Sequence, residues 1–448
     1  MPRLLMPAMR LLGVGMLLAS SLLAFAPAAS TAAPATPDWP MYHANPARTG
    51  YVASTRDPSR LTTQWTAPLD GAVYAEPLIV GGRVLVATEN DSIYSLDPRT
   101  GRVQWRVNLG TPVPQSDLPC GDIFPLGITG TPVYDPQTGL VFAVAEVTGP
   151  THVLIGVDVK TGHVKVRRAV DPPGIDTAAF QQRGALALDG GRVYVPFGGL
   201  DGDCGPYFGL VMASRTSGTG ALLSYRVPTA REGGIWSTPG PVVDAQGDLY
   251  VSVGNGAASG GTWDKTDSVL RLSPTLQLED AFAPVIWASD NASDLDLGSM
   301  GPVLLPNGLI YANGKSGQGY LLHAQHLGGI GGQIQTLSVC AAYGGAALSG
   351  QSLFIPCASG LRQLILEPGP RLAYGWQAPG QIIGSPVVGG HTVYSLDPGG
   401  TLYALNAATG AVRATVAVGG TSRFTTPAIS GNTVYVGTMQ GVVAVGIL

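Results

Sequence analysis

The chain has 448 residues, of which only 12% are charged, and its formal net charge is −4. Its 63 Gly and 36 Pro residues make up about a fifth of the chain, more than helical bundles or coiled coils tolerate. A hydrophobic content of 45% argues against a disordered chain, and the acidic balance offers no basic surface for nucleic acid. The composition therefore predicts a turn-rich, mainly β protein with no nucleic-acid partner.

The N-terminus has the pattern of a secretory signal peptide over residues 1–32. Arg3 and Arg10 supply positive charge, an apolar stretch follows from Leu11, and small residues come next. We expect cleavage between Ala26 and Ala33, which gives a secreted protein, extracellular or periplasmic. The alternative is an uncleaved anchor, although about 16 apolar residues are few for a membrane-spanning helix. No membrane span is expected after signal cleavage.

Residues 33–60 form a lead-in segment, and one sequence pattern then repeats through residues 61–448. Its first copy, at Pro77, consists of short apolar runs separated by Gly, Asp and Pro turns, which is typical of β-strands. Seven further copies recur at these positions: Pro132, Leu186, Pro241, Pro302, Ala346, Pro386 and Pro427. An Asp/Asn-x-x-Thr-Gly turn, with Gly where a tight hairpin needs a positive φ, starts at Asp97, Asp158 and Asn406.

Four-stranded units at spacings of 40 to 61 residues are the blades of a β-propeller. The sequence thus predicts an all-β, eight-bladed β-propeller of four-stranded antiparallel blades. The last copy has only three strands, whereas a spare strand at residues 61–65 precedes the first copy. We expect this N-terminal strand to complete the last blade. Outer strands are expected to end in a tryptophan: Trp65, Trp105, Trp287 and Trp376.

The chain contains four cysteines: Cys120, Cys204, Cys340 and Cys357. An even number in an oxidising compartment favours two disulfides over free thiols, and four cysteines allow three pairings. Closeness in sequence favours Cys340 with Cys357, which leaves Cys120 with Cys204. No CxxC spacing supports a zinc site, and no CxxCH motif supports a covalently attached haem.

The repeated elements Pro-apolar-apolar, Val-Tyr-Val, Leu-Tyr-Ala-Leu-Asp, Thr-Gly and Trp resemble the PQQ-type β-propeller family over nearly all of the mature chain. That family includes quinoprotein dehydrogenases and also non-enzymatic scaffolds such as the outer-membrane assembly lipoprotein. The resemblance implies a quinoprotein alcohol dehydrogenase-like fold. It also implies a site in the funnel where loops of different blades converge, which in the dehydrogenases holds pyrroloquinoline quinone (PQQ) and Ca²⁺.

Four segments are similar, in order, to funnel segments of those dehydrogenases. Residues 232–236 look like the Gly-Gly-x-x-Trp segment, which implies that Trp236 lies under the quinone. Residues 253–256 are similar to the Val-Gly-Asn-Gly segment, which implies that Asn255 binds the metal. Residues 294–305 resemble the segment of the catalytic Asp, which implies that Asp296, or its neighbour Asp294, is the base. Residues 314–322 are similar to the segment that supplies the basic residue, here Lys315.

Three departures from the family pattern bear on the cofactor. Residues 119–122 contain one cysteine, Cys120, where the family has two adjacent ones, so the disulfide above the quinone cannot form. Residues 126–129 lack the Arg that neutralises quinone carboxylates, and burying the three carboxylates of PQQ without partners is costly. Asp203 stands near the position of the family's metal-binding Glu. Together, Asn255, Asp203 and Asp296 offer the hard oxygen ligands that suit Ca²⁺.

Each of these assignments has a structural alternative. Trp236 would be packed between blades, Asn255 and the aspartates would cap turns, and Lys315 would lie on the surface. The bridge between Cys120 and Cys204 would either pin two funnel loops together or only staple the fold. Convergence of the indole, amide, carboxylate and ammonium groups in one cavity distinguishes the two interpretations.

Two functional hypotheses follow. In the first, the protein binds PQQ or a similar planar ligand, with Ca²⁺ and without haem, and oxidises an alcohol or sugar. In the second, it is a non-catalytic extracellular or envelope scaffold that binds protein or glycan. A third possibility is that side chains fill the funnel, in which case the funnel would have no ligand-binding site. The expected partners are a small-molecule ligand or an envelope protein, and the chain is expected to be a monomer.

Overall fold

The structure is a computed structural model that describes residues 1–2 and 38–448. Nearly all of the predicted signal peptide, and the start of the lead-in, lie outside the described residues. The described chain is an eight-bladed β-propeller, as the repeat predicts, and each blade is an antiparallel sheet whose innermost strand comes first. The strands are, for blade 1, Leu78–Val80, Arg83–Thr88, Ser92–Leu96 and Val103–Asn108; blade 2, Val133–Asp135, Leu140–Val147, Thr151–Asp158 and Val164–Ala169; blade 3, Ala187–Asp189, Arg192–Gly199, Leu210–Arg215 and Leu223–Arg226; blade 4, Val242–Val243, Leu249–Val253, Ser268–Leu272 and Leu278–Ala283; blade 5, Val303–Leu305, Leu309–Asn313, Gln318–His323 and Gln335–Ser338; blade 6, Ala347–Ser349, Ser352–Ile355, Arg362–Glu367 and Arg371–Gln377; blade 7, Val387–Gly389, Thr392–Leu396, Thr401–Asn406 and Val412–Ala417; blade 8, Ala428–Ser430, Thr433–Thr438, Gly441–Ile447 and Leu61–Pro68.

A few short elements complete the described part of the fold. The strands Tyr51–Val52, Phe180–Gln181 and Gly329–Ile330 extend blades 7, 3 and 4. One α-helix and several 3-10 turns lie between strands: Trp287–Ala292, then Tyr42–Ala44, Gln115–Asp117, Leu297–Ser299 and Pro306–Gly308. The helix and the turn after it lie between blades 4 and 5, where the repeat spacing is longest.

The burial pattern explains why the sheets form a ring. The third strand of blade 1, Ser92–Leu96, is buried along its whole length, whereas the outer strand Val103–Asn108 is mostly exposed. A single sheet with two apolar faces needs a neighbour on each side. The apolar clusters accordingly span adjacent blades; one of them joins blades 7, 8 and 1.

The predicted ring closure is confirmed. Leu61–Pro68 pairs antiparallel with Gly441–Ile447 and forms the outer strand of blade 8. The main-chain N–H of Ser59 also donates to the carbonyl of Leu448 at 2.7 Å. The first and last strands of the propeller therefore belong to one sheet.

Three of the four predicted tryptophans lie in outer strands and join neighbouring blades. Trp65 of blade 8 donates its indole N–H to Pro98 at 3.0 Å, and Trp105 of blade 1 donates to Val159 at 3.0 Å. Trp376 of blade 6 does the same to Ala407 of blade 7. In each case the acceptor is the second residue of an Asp/Asn-x-x-Thr-Gly turn in the next blade. The tryptophans thus connect three pairs of blades.

The prediction for Trp287 is wrong. This residue begins the α-helix Trp287–Ala292 instead of ending the outer strand of blade 4, which stops at Ala283. Pro284 follows that strand and has no N–H with which to continue the ladder. Its carbonyl accepts the N–H of Trp287 instead.

The described part of the lead-in crosses the inner strands of several blades. Backbone hydrogen bonds of 2.7 to 3.0 Å tie it to blades 1, 2, 4, 6 and 7, in the pairs Trp39–Ile79, Pro40–Tyr134, Pro46–Val243, Thr49–Leu348 and Gly50–Val388. Tyr42, His43 and Arg48 of this segment are almost completely buried. The guanidinium of Arg48 donates to the carbonyl of Leu186 at 2.8 Å. The described part of the lead-in therefore fills the propeller centre alongside the inner strands.

Blades 1 and 2 enclose a group of buried acids. Asp91 is 0% exposed, and within residues 38–448 neither of its carboxylate oxygens has a hydrogen-bond partner. Burial, with the charges of Glu146 and Glu89 in support and that of Arg167 in opposition, raises the pKa of Asp91 to about 8. Burial likewise raises the pKa of Glu89 to about 8. Both acids therefore favour the protonated form in the folded protein.

The tryptophan contacts predict different losses of stability for alanine substitutions in two turns with the same Asp-x-x-Thr-Gly sequence. One turn joins the third and fourth strands of blade 1, and the other joins the first and second strands of blade 2. Gly101 and Gly139 have φ values of 70° and 71°, so an alanine at either position is strained by roughly 1 kcal/mol. A Cβ at position 101 would lie 2.6 Å from the Trp65 ring, whereas nothing lies within 4 Å of one at position 139. We expect Gly101→Ala to lower the melting temperature clearly more than Gly139→Ala. Equal losses in thermal denaturation would contradict the role of Trp65.

The buried acids predict that stability depends on pH. Because the folded state keeps Asp91 protonated up to about pH 8, its contribution is complete below the ordinary Asp pKa and is lost as the pH rises through 8. Asp91→Asn removes the ionisable group, so we expect a smaller fall in melting temperature between pH 5 and pH 8. Glu279→Gln, on an exposed carboxylate, is the control and should follow the parent. Parallel profiles for parent and Asp91→Asn would disprove the assignment.

Candidate functional site

A cavity of about 670 Å³ opens at the propeller centre. All six residues that the sequence assigns to the funnel line this cavity: Asp203, Trp236, Asn255, Asp294, Asp296 and Lys315. The described residues therefore leave the funnel open. The arrangement brings together an indole, an amide, three carboxylates and an ammonium group from three blades.

Two kinds of loop supply these side chains. Trp236, Asp294 and Asp296 lie in segments that lead into the inner strands of blades 4 and 5. Asn255 and Lys315 follow the second strands of the same two blades. Because neighbouring strands are antiparallel, the start of the first strand and the end of the second lie at the same end of a blade. This topology explains why distant positions meet at one end of the propeller.

Lys315 bridges the two candidate bases. Its Nζ lies 2.7 Å from Oδ1 of Asp294 and 2.6 Å from Oδ2 of Asp296. The side chain of Asp294 is 63% exposed, whereas that of Asp296 is only 4% exposed. Burial opposes the charge of Lys315, but the two carboxylates, Asp296 first, raise its pKa and keep it an ammonium ion. Burial raises the pKa of Asp296, and Lys315 opposes this shift.

Asp296 also fixes the loop that carries Asn255. Its Oδ1 accepts the main-chain N–H of Asn255 at 2.6 Å. A Cβ on the preceding Gly254 would collide with this carboxylate and come within 3.1 Å of the Trp236 indole nitrogen, so only glycine fits there. Among the described residues, the side-chain amide of Asn255 has no hydrogen-bond partner. This amide is therefore available to a ligand in the cavity.

Asp203 lies in the loop between the second and third strands of blade 3. The Tyr207 hydroxyl donates to Oδ1 of Asp203, and Arg231 donates to its carbonyl at 2.6 Å. The next residue, Cys204, forms the predicted disulfide with Cys120, so the bridge joins two loops of the cavity wall.

The second predicted disulfide, between Cys340 and Cys357, is also confirmed. It joins Cys340, in the segment between blades 5 and 6, to Cys357 of blade 6. Cys357 is buried in the apolar cluster that joins these two blades.

Sequence reasoning missed a second group of cavity residues, which consists of Arg183, Tyr343, Arg423 and Phe424. Arg183 lies 5.8 Å from the Trp236 ring centre and 4.1 Å from that of Phe424. The Phe424 ring meets Trp236 edge to face, with centres 6.4 Å apart. Each of these residues precedes the inner strand of its blade, as Trp236 does, and this position within the repeat is the signal that would have identified them.

Two observations concern the described residues as a whole. In residues 1–2 and 38–448, no group of three or more His, Cys, Asp or Glu side chains is arranged to hold a metal ion. No helix in this part of the chain is long and apolar enough to cross a membrane.

A curated relative covers part of the chain. The polyvinylalcohol dehydrogenase of Sphingopyxis sp. (strain 113P3) is 24% identical over 243 residues, which are 48% of this chain and 34% of the relative. The match thus spans about a third of the length of that enzyme.

Solved structures share the fold at low sequence identity. The quinohemoprotein alcohol dehydrogenase ADHIIG of Pseudomonas putida HK5 matches with a TM-score of 0.71 at 15% identity, over 92% of this chain and 80% of that one. BamB of Moraxella catarrhalis matches with a TM-score of 0.60 at 14% identity, over 87% of this chain and 100% of that one. At such identities the likeness concerns the fold alone.

A sequence model of one family covers most of the propeller. It is described as "Outer membrane protein assembly factor BamB" and matches residues 62–325 and 341–446. These ranges include strands of all eight blades and omit the outer strand of blade 5, and the chain therefore belongs to this family of PQQ-type β-propellers.

Proposed function

We propose that the protein is a quinoprotein-type dehydrogenase whose funnel binds PQQ with Ca²⁺ and oxidises an alcohol. The observation that carries the proposal is the convergence of Trp236, Asn255, Asp294, Asp296 and Lys315 in one open cavity. The partial similarity to a polyvinylalcohol dehydrogenase favours an alcohol over a sugar. The two disulfides favour an oxidising location, secreted or periplasmic.

The residues in the cavity fit a planar polycarboxylate. The half-buried ring of Trp236 offers an aromatic face, and planar ligands stack on such faces. Arg183 and Arg423 are two cationic side chains in the cavity wall that form no ion pair with a described residue, whereas Lys315 is held by Asp294 and Asp296. The cavity volume of about 670 Å³ also lies within the range of small-molecule sites.

The donor set on the other side of the cavity fits Ca²⁺. The unpartnered amide oxygen of Asn255 and Oδ2 of Asp203, which accepts no hydrogen bond from a described residue, are hard oxygen atoms. Both oxygens of Asp296 are already engaged by Asn255 and Lys315. Ca²⁺ takes six to eight such ligands, so bound ligand or water would provide the rest.

When bound, PQQ supplies the two-electron acceptor for a hydride from the alcohol carbon, and Ca²⁺ stabilises negative charge on oxygen. The chain must then accept the hydroxyl proton, and Asp294 is better placed for this than Asp296. Oδ2 of Asp294 has no hydrogen-bond or ion-pair partner among the described residues, whereas Asp296 engages Asn255 through Oδ1 and Lys315 through Oδ2. A base needs a free lone pair directed at the substrate.

In this scheme Asp296 is a positioning residue. It holds the Lys315 ammonium at 2.6 Å and the Asn255 backbone at 2.6 Å. Lys315 stays charged because two carboxylates face it, and it holds Asp294 in place through Oδ1.

The family match favours a second candidate, a non-catalytic envelope scaffold. The matching family is described as an outer-membrane assembly factor, and a fold of this type does not determine function. In that case a propeller face would bind protein or glycan, and the funnel residues would have no catalytic role.

Reconstitution tests the enzyme proposal. Apoprotein supplied with PQQ and Ca²⁺ should reduce an artificial dye in the presence of an alcohol, and Asp294→Asn should lower kcat roughly 100-fold. PQQ affinity, measured by quenching of tryptophan fluorescence, should stay within about threefold of the parent, because Lys315 keeps its Asp296 partner. Glu279→Gln is the control for removal of a carboxylate and should behave as the parent.

Asn255→Ala tests the metal assignment separately. We expect the Ca²⁺ concentration for half-maximal dye reduction to rise at least about tenfold, because one oxygen ligand is lost. If the parent neither binds PQQ nor reduces the dye, the enzyme proposal is wrong. Specific co-purification of an envelope protein would then favour the scaffold.

A further inference from the structure

Two arginines in the cavity have no anionic partner in the described chain. Neither Arg183 nor Arg423 makes a side-chain hydrogen bond or an ion pair with any described residue. Arg183 is half-buried inside the cavity, and Arg423 is exposed at its mouth. The cavity's third cation, Lys315, is bound to Asp294 and Asp296. The two guanidinium groups therefore remain free to bind a ligand.

Aromatic rings hold the two guanidinium groups in place. Arg183 lies 4.1 Å and Arg423 5.3 Å from the centre of the Phe424 ring. Arg423 also lies 4.0 Å from the ring centre of Tyr343. Stacking on rings restrains a guanidinium group while leaving its N–H donors free. Both arginines are thus positioned around Phe424 before any ligand arrives.

The charges around Arg183 do not replace a ligand. Burial lowers the pKa of Arg183, and Asp122, Asp201, Tyr74 and Glu89 act in the opposite direction. None of these groups forms an ion pair or hydrogen bond with Arg183 among the described residues. A cation removed from water without a direct partner is unfavourable, which points to a bound anion as the missing partner.

We propose that Arg183 and Arg423 form a carboxylate-binding subsite that takes the acid groups of a planar aromatic ligand stacked beside Trp236. A guanidinium fork matches a carboxylate with two parallel hydrogen bonds. The subsite takes the place of the arginine that the quinoprotein dehydrogenases have in the segment corresponding to residues 126–129, which contain none. The carboxylates belong to PQQ if the proposed function holds, and to another aromatic acid if it does not.

Binding to the apoprotein tests the subsite without activity. The probes are PQQ, its trimethyl ester and benzene-1,3,5-tricarboxylate, with affinity measured by calorimetry and by quenching of tryptophan fluorescence. We expect Arg183→Gln and Arg423→Gln each to weaken binding of the free acids roughly tenfold or more, because a charge-assisted pair is lost. Binding of the trimethyl ester should not change. Arg99→Gln, at an exposed turn of blade 1, is the control and should bind all three probes as the parent does.

Stability of the unliganded protein provides a second readout. Arg183→Gln should lower its melting temperature only slightly, because the substitution breaks no ion pair or hydrogen bond and removes only the contact with the Phe424 ring. A merely structural arginine would instead destabilise the fold when replaced.

The possible results separate the subsite from the proposed function. PQQ binding that weakens in both variants supports the subsite and identifies the cofactor as the source of the carboxylates. If PQQ does not bind but the tricarboxylate does, with the same loss in the variants, the subsite stands and the cofactor proposal fails. The subsite is overturned if no free acid binds the parent, or if both variants bind the acids as tightly as the parent does.

Discussion

The pairing of Leu61–Pro68 with Gly441–Ile447 is the interaction on which the rest of the structure depends. Each blade has two apolar faces, and an open row of blades would expose one of them at each end. Closing the row through a strand shared between the two ends of the propeller removes both exposed faces. It also fixes the distance between blades that are far apart in sequence, which a funnel site requires.

Closure of the ring alone would leave a channel through its centre, and the described part of the lead-in fills this channel. Tyr343 lines the cavity, while Gly345, two residues later, lies against the hydroxyl of Tyr42 in the lead-in. Tyr42 in turn contacts Thr426 at the start of blade 8. The same short segments therefore face a ligand on one side and the lead-in on the other.

The sequence predicted those features that local patterns encode. The blades and the shared last sheet follow from the repeats, and the six funnel residues follow from segments that resemble those of the quinoprotein dehydrogenases. They meet because the start of a first strand and the end of a second lie at the same end of a blade. The prediction for Trp287 was wrong because its position in the repeat indicated a strand, whereas the strand ends before Pro284. The sequence did not indicate Arg183 and Arg423 because each lies against an aromatic ring from another blade. Arg183 lies against Phe424, and Arg423 lies against Tyr343.

The distribution of charge gives the funnel a direction. Of the five aspartates that line the cavity, Asp294 and Asp296 share Lys315 on the side with Asn255, whereas the charges of Asp122 and Asp201 act on Arg183. The side with Phe424 carries two guanidinium groups that form no ion pair or hydrogen bond with a described carboxylate. A planar ligand with carboxylates at one edge and metal-binding oxygens at the other would be oriented by this asymmetry before any chemistry begins. Reversing the ligand would place its carboxylates beside Asp294 and Asp296 and away from the two guanidinium groups.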